Sequence, residues 1–189
     1  MSLVESTATT PPLLGLAGWD SEPWCDAYFP ADLPDDWRFS YLANEVDCVL
    51  LRPGQWYLGL SAETTDRLSN ALAEAPVDLS FLLAVAPEQP PPRSALERYA
   101  AFDVGLLVDQ PLALADLWPQ WRRTAPGRWT GEDRTEVRVW QVESIDLRAW
   151  RQDAAALPPT LRALILSGPA ASPGRVTELR TMLQLLGLA

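Results

Sequence analysis

The chain has 189 residues, is 48% hydrophobic and carries 25 acidic against 15 basic residues, a formal charge of −10. That length suits one domain able to bury a core without disulfide or metal staples, and the negative field opposes nucleic-acid phosphates and anionic lipid headgroups. Every basic residue is arginine and there is no histidine, which excludes Schiff-base and P-loop lysines, Ser-His-Asp and Cys-His nucleophile pairs, and imidazole metal sites.

Residues 1–11, rich in Ser and Thr, read as a disordered tail before a single α/β domain over 12–189. The apolar run Leu13 to Ala17, stopped by Gly18, predicts a buried strand that delivers Trp19 and Asp20 to its carboxyl end. Prolines at 23, 30 and 34 delay the next helix to about Pro34–Asn44, with Asp35 and Asp36 in its first turn and Trp37, Tyr41 and Leu42 as its apolar face. Val46 to Leu51 predicts the second strand, which completes a βαβ unit. The turn Arg52-Pro53-Gly54 leads into Gln55 to Leu60, read as a short extended piece or loop. Ser61 then caps a helix over Glu63 to Ala75, ended by Pro76.

Leu79 to Val85 is a continuous apolar run of the kind that parallel sheets bury on both faces. A proline-rich loop over Glu88 to Pro92 precedes a short helix from Ser94 to Ala101 and a strand from Val104 to Val108, which puts Asp109 at its end. The pattern then predicts a helix over Leu112 to Trp121 and a loop over Thr124 to Asp133. Glu136 to Val142 alternates Val137 and Val139, with Gln141 next in phase, against Arg138 and Trp140, as a strand with one less protected face does. Ser144, Ile145 and Asp146 open a helix to about Leu157. Leu161 to Leu166 is the sixth strand, and Ser172-Pro173 starts a last helix striped by Val176, Leu179, Leu183 and Leu186.

Strand starts recur every 25 to 33 residues or so, the size of one βα unit. Six or seven such units fall short of a full (β/α)8 barrel, which takes at least about 200 residues. The expected architecture is an abbreviated or distorted TIM-barrel-like repeat of mainly parallel strands, with an open doubly wound sheet as the alternative.

Gly18-Trp19, Trp24, Tyr28-Phe29-Pro30, Leu33-Pro34 and Tyr41-Leu42-Ala43 resemble the amino-terminal motif of the YecE-like family (domain of unknown function 72) over residues 15–51. The helix carrying Glu178-Leu179-Arg180 is similar to that family's closing segment. The resemblance implies a TIM-barrel-like fold, an acidic residue near the end of strand two and later histidine motifs. Here Leu50 holds the acidic position, Arg52 the amide position, and no histidine exists. A member so altered is expected to have lost any catalytic centre built on those groups.

Ligands of parallel α/β folds bind at the strand carboxyl ends. That rule selects Trp19, Asp20, Arg52, Glu88, Asp109, Glu143 and Ser167. Trp24, Gln55, Trp56 and Tyr57 join them as aromatic and amide groups able to stack on a ligand and bond its edges, although Trp56 and Tyr57 equally suit a plug for one end of the sheet. Trp118 to Arg123 with Arg128-Trp129 interleaves rings and cations, which suits a protein partner better than nucleic acid given the charge.

Nine tryptophans raise the same choice between a binding surface and core filling, which exposure of Trp24, Trp56 and Trp129 decides. No segment resembles a secretory signal and no apolar run reaches the ~20 residues of a membrane span. Cys25 and Cys48 are therefore read as reduced thiols in a cytoplasmic protein. The expectation is a non-catalytic domain, without cofactor or metal, that binds a small molecule or a protein partner and is able to self-associate. The alternative is a carboxylate- or metal-dependent enzyme acting on a sugar or phosphorylated metabolite.

Overall fold

The computed structural model describes residues 11–20, 22–113, 118–144 and 146–188, with Asp36 by its backbone alone. The expected tail over residues 1–11 lies almost wholly outside the described residues. Eight strands, β1 (Leu13–Ala17), β2 (Cys48–Leu51), β3 (Ser80–Ala84), β4 (Asp103–Val108), β5 (Gln120–Ala125), β6 (Arg128–Gly131), β7 (Glu136–Gln141) and β8 (Leu161–Ser167), close into a barrel in sequence order. β8 pairs with β1 from Leu13 opposite Ala163 to Leu16 opposite Leu166, which seals the ring. Neighbouring strands are parallel except around β6, which runs antiparallel to both β5 and β7.

These findings overturn both architectures expected from the sequence. The sheet is neither an abbreviated TIM-barrel-like repeat nor an open doubly wound sheet but a closed, mixed eight-stranded barrel. The sequence yields six of the strands and misses β5 and β6, where a helix over Leu112 to Trp121 and a loop were expected. Residues 120 and 121 are strand, and 114–117 lie outside the described residues. The physical reason is the hairpin's composition. In β5 and β6 only Trp121 and Trp129 supply large apolar side chains, so no apolar run marks a strand, and the three-residue step from Trp118 to Trp121 mimics a helical face.

The antiparallel meander has two unlike faces. Trp121, Trp129, Val137 and Val139 belong to the barrel's inner cluster. The opposite face carries Arg128 and Arg138, both paired to Glu136 at 3.2 and 3.1 Å, and the hydroxyls of Thr124 and Thr130, 3.3 Å apart. Such an alternation lets one face meet water.

Elsewhere the strands bury both faces. α1 (Cys25–Tyr28) and α2 (Asp35–Ala43) link β1 to β2. α3 (Pro53–Trp56) and α4 (Ala62–Glu74) link β2 to β3, and α5 (Arg93–Glu97) links β3 to β4. α6 (Leu147–Ala155) joins β7 to β8, and α7 (Pro173–Leu185) follows. Two cores result. Leu14, Leu16, Val49, Leu51, Phe81, Leu164 and Leu166 face the helices, where Phe39, Leu42, Leu68, Leu96, Val176 and Leu179 meet them. Ala17, Cys48, Leu50, Leu82, Leu107, Ala163 and Ile165 fill the barrel.

α2 departs from its expected face. Phe39 and Leu42 are buried, while Trp37 is 63% exposed and Tyr41 43% exposed.

Candidate functional site

Every strand but β6 ends at one rim of the barrel, and β6 starts there. The last inward-facing apolar residues, Ala17, Leu50, Ala84, Leu107 and Val139, make a floor. Above it stand Arg52, Arg123, Gln141, Ser167 and, from the loop after β1, Glu22. With Trp129 these groups enclose an open cavity of about 430 Å³, within the size range of small-molecule sites.

The rim's polar groups are cross-linked. Arg52 follows β2, where Pro53 starts α3, and its main-chain N–H donates to Gln55 Oε1 at 2.9 Å. Its Nη1 meets Glu22 Oε1 at 2.5 Å and its Nη2 donates to Ser167 Oγ at 3.2 Å. Gln55 Nε2 also donates to Glu22 Oε1, at 3.3 Å. Across the mouth, Arg123 Nη1 lies 3.5 Å from Asp109 Oδ1, and its guanidinium sits 5.3 Å from the centre of the Trp129 ring, a cation–π contact. Leu50, which holds the acidic position in the YecE-like resemblance, is part of the floor.

The sequence-selected residues divide into groups. Arg52 and Ser167 line the mouth, while Gln55 and Asp109 hold residues that do. Trp19 and Asp20 line a neighbouring cavity of about 400 Å³ with Arg38 and Arg67, in which Arg67 pairs with Asp20 at 3.3 Å. Trp24 is buried and packs edge-on to Tyr28, and Trp56 is fully buried with its Nε1–H donating to Ala84 O at 2.8 Å. Tyr57 donates its hydroxyl proton to Gln89 O at 2.5 Å and accepts from Ala86 N at 2.9 Å, tying down the loop after β3. Glu88 and Glu143 are exposed and outside the mouth.

Glu22, Arg123, Trp129 and Gln141 are absent from the strand-end set, Arg123 and Trp129 having been placed by the sequence on a partner-binding surface instead. For Gln141 the signal existed, since it continues the inward phase of Val137 and Val139. For Arg123 and Trp129 the Pro126-Gly127 turn between two alternating segments was the available hairpin sign.

A larger hollow of about 510 Å³ lies against β5 and β6, walled by Gln120, Arg122, Thr124 and Thr130. It is away from the rim, and Pro111 and Pro119 at its edge flank the segment 114–117 outside the described residues. The mouth is the better candidate because groups from all eight strands and the β1–α1 loop converge there.

No family model, curated protein or solved structure matches the chain. Among the described residues, no three of Asp, Glu, Cys and His are grouped to hold a metal ion. Burial pushes the Cys25 and Cys48 thiols up from their ordinary range, so neither is primed as a nucleophile. No described helix is long and apolar enough to cross a membrane.

Proposed function

We propose that this chain binds a small organic molecule in the mouth of the barrel and does not transform it. The observation that carries this reading is the cavity's two-tier wall, an apolar floor below a rim of arginine, glutamine, serine and tryptophan, which is how ligand pockets combine affinity with orientation. Proton transfer needs an acid or base within hydrogen-bond reach of the ligand. Glu22, the carboxylate on the mouth's wall, is already bound to Arg52 and Gln55.

Kinship with the YecE-like family belongs to the same reading. Its support is that Trp19, Trp24, Tyr28, Phe29 and Tyr41, the aromatic residues of the resemblance, pack together or on Phe39 and so brace the loop that carries Glu22. A cytoplasmic location is supported by two free, buried thiols.

The test is a fragment screen by amide NMR. Binders are expected to shift residues 50–52, 84, 107–108, 139–141 and 167 together, and Ala84→Phe, which fills the floor, is expected to abolish those shifts. Binders that move only residues elsewhere would overturn the proposal.

A further inference from the structure

We infer that the mouth is a carboxylate receptor, whose ligand pairs an organic carboxylate with an apolar body, and that Glu22 is a resident competitor for the carboxylate seat. The inference rests on the mouth being the binding site and goes further by naming the ligand's chemical class.

The seat is built around a carboxylate. The Glu22 side chain is only 8% exposed, although it lies on the rim loop, whereas Arg52 is 46% exposed. One Glu22 oxygen receives both Arg52 Nη1 and Gln55 Nε2. Gly18 shapes the other wall: its φ of +75° suits glycine, and a Cβ there would come within 2.2 Å of that same oxygen. Arg52 is held from its second nitrogen by Ser167, and Gln55 by the Arg52 main chain, so both donors keep their aim whether or not Glu22 is present. One guanidinium nitrogen and one amide N–H converging on a single oxygen give a charge-assisted seat for a carboxylate.

The other wall of the mouth favours an apolar tail over a second anion. Arg123 is already engaged by Asp109 and Trp129. The floor below Arg52 is Leu50, Ala84 and Leu107, which rewards burial of methylenes at roughly 25 cal/mol per Å².

Glu22 is positioned to yield. The loop that carries it is anchored at both sides by buried Trp19 and Trp24, while Glu22 itself sits between them. An incoming carboxylate exchanges with it on Arg52 and Gln55, and Glu22 turns to water. Ions pair one for one throughout, so no charge is left buried and alone.

The experiment compares hexanoate with hexanamide, which share a tail and differ in charge, on wild type, Glu22→Gln and Arg52→Gln, by calorimetry and amide NMR. Glu22→Gln removes the competing anion and is expected to tighten hexanoate about ten- to hundredfold, by far more than it changes hexanamide. Arg52→Gln is expected to erase the preference for hexanoate. In wild type, saturating hexanoate but not hexanamide is expected to shift the Gln55 side-chain amide and the Glu22 carboxyl carbon, a readout that needs no variant to fold.

Inorganic phosphate gaining as much as hexanoate on Glu22→Gln would overturn the carboxylate assignment. Unchanged hexanoate affinity in Glu22→Gln, with hexanamide still shifting the floor residues, would overturn the inference and leave the mouth as the binding site. If neither compound shifts the floor, both fail.

Discussion

Trp121 and Gly105 test whether the barrel interior is packed as described. Trp121 is 8% exposed, and its ring lies against β4 at Gly105. A methyl group on Gly105 would stand 2.4 Å from Trp121 Cζ3 and 3.0 Å from Cε3, with Leu82 Cδ2 at 3.1 Å. Ordinary contact begins at 3.4 Å, so the indole has to retreat by about 1 Å within a closed ring, and overpacking of that kind costs roughly 1–3 kcal/mol. A glycine inside a strand is otherwise worse than alanine by roughly 0.5–1 kcal/mol.

Gly105→Ala is therefore expected to destabilise the wild-type chain by about 2 kcal/mol. In a Trp121→Leu background the clash with the indole is gone and only the 3.1 Å approach to Leu82 Cδ2 remains, so the same change is expected to lie between neutral and about 0.5 kcal/mol stabilising, although Trp121→Leu alone costs about 2–4 kcal/mol through its cavity and the lost 3.0 Å bond to Thr135. Urea unfolding of the four proteins at 25 °C measures the coupling, expected near 2–3 kcal/mol. Equal effects of Gly105→Ala in the two backgrounds would refute the packing of Trp121 over Gly105.

Burial pushes the Cys48 thiol up from its ordinary 9.0 and the Tyr99 phenol up from 10.0. Both stay protonated in the fold after they ionise in the unfolded chain. Their stabilisation is thus complete below pH 9 and is lost as pH rises, from 9 for the thiol and from 10 for the phenol, at about 1.4 kcal/mol per pH unit for each group. Urea midpoints between pH 8 and 11 measure this, and Cys48→Ala is expected to remove the first part of the decline. Asp146→Ala removes the cap that accepts from Arg148 N at 2.9 Å and Ala149 N at 3.1 Å, for an expected loss of about 1 kcal/mol in the same assay. Trp56→Phe deletes the bond to Ala84 O under the mouth and is expected to cost about 1–3 kcal/mol. A cost below about 0.5 kcal/mol would mean that Trp56 does not hold the end of β3.

What could be read from the sequence follows the strength of local apolar patterning. Leu13 to Ala17, Leu79 to Val85 and Leu161 to Leu166 are runs that only a doubly buried strand explains, and β1, β3 and β8 lie within a residue or so of them. Strand direction has no such local mark. A parallel strand and an antiparallel one with a wet face differ in what lies beyond them, so β5 and β6, with arginine and threonine outside and tryptophan inside, were invisible to a search for βα units. The count of units then came out short, and an incomplete repeat was inferred where the ring closes with eight strands.

The same blindness governs the site. Arg52 and Ser167 were reachable because each sits at the end of a strand that the apolar pattern marks. Glu22 was not, because its position depends on Trp19 and Trp24 folding inward on either side of it, and tryptophan in a loop reads equally as surface or core. With both rings buried, Asp20 turns to Arg67 and Glu22 to Arg52, 30 positions away, and the Gly18 backbone makes the room. The aromatic cluster at residues 19–41 therefore acts on the rim through placement. It sets which acid stands beside Arg52 at the rim.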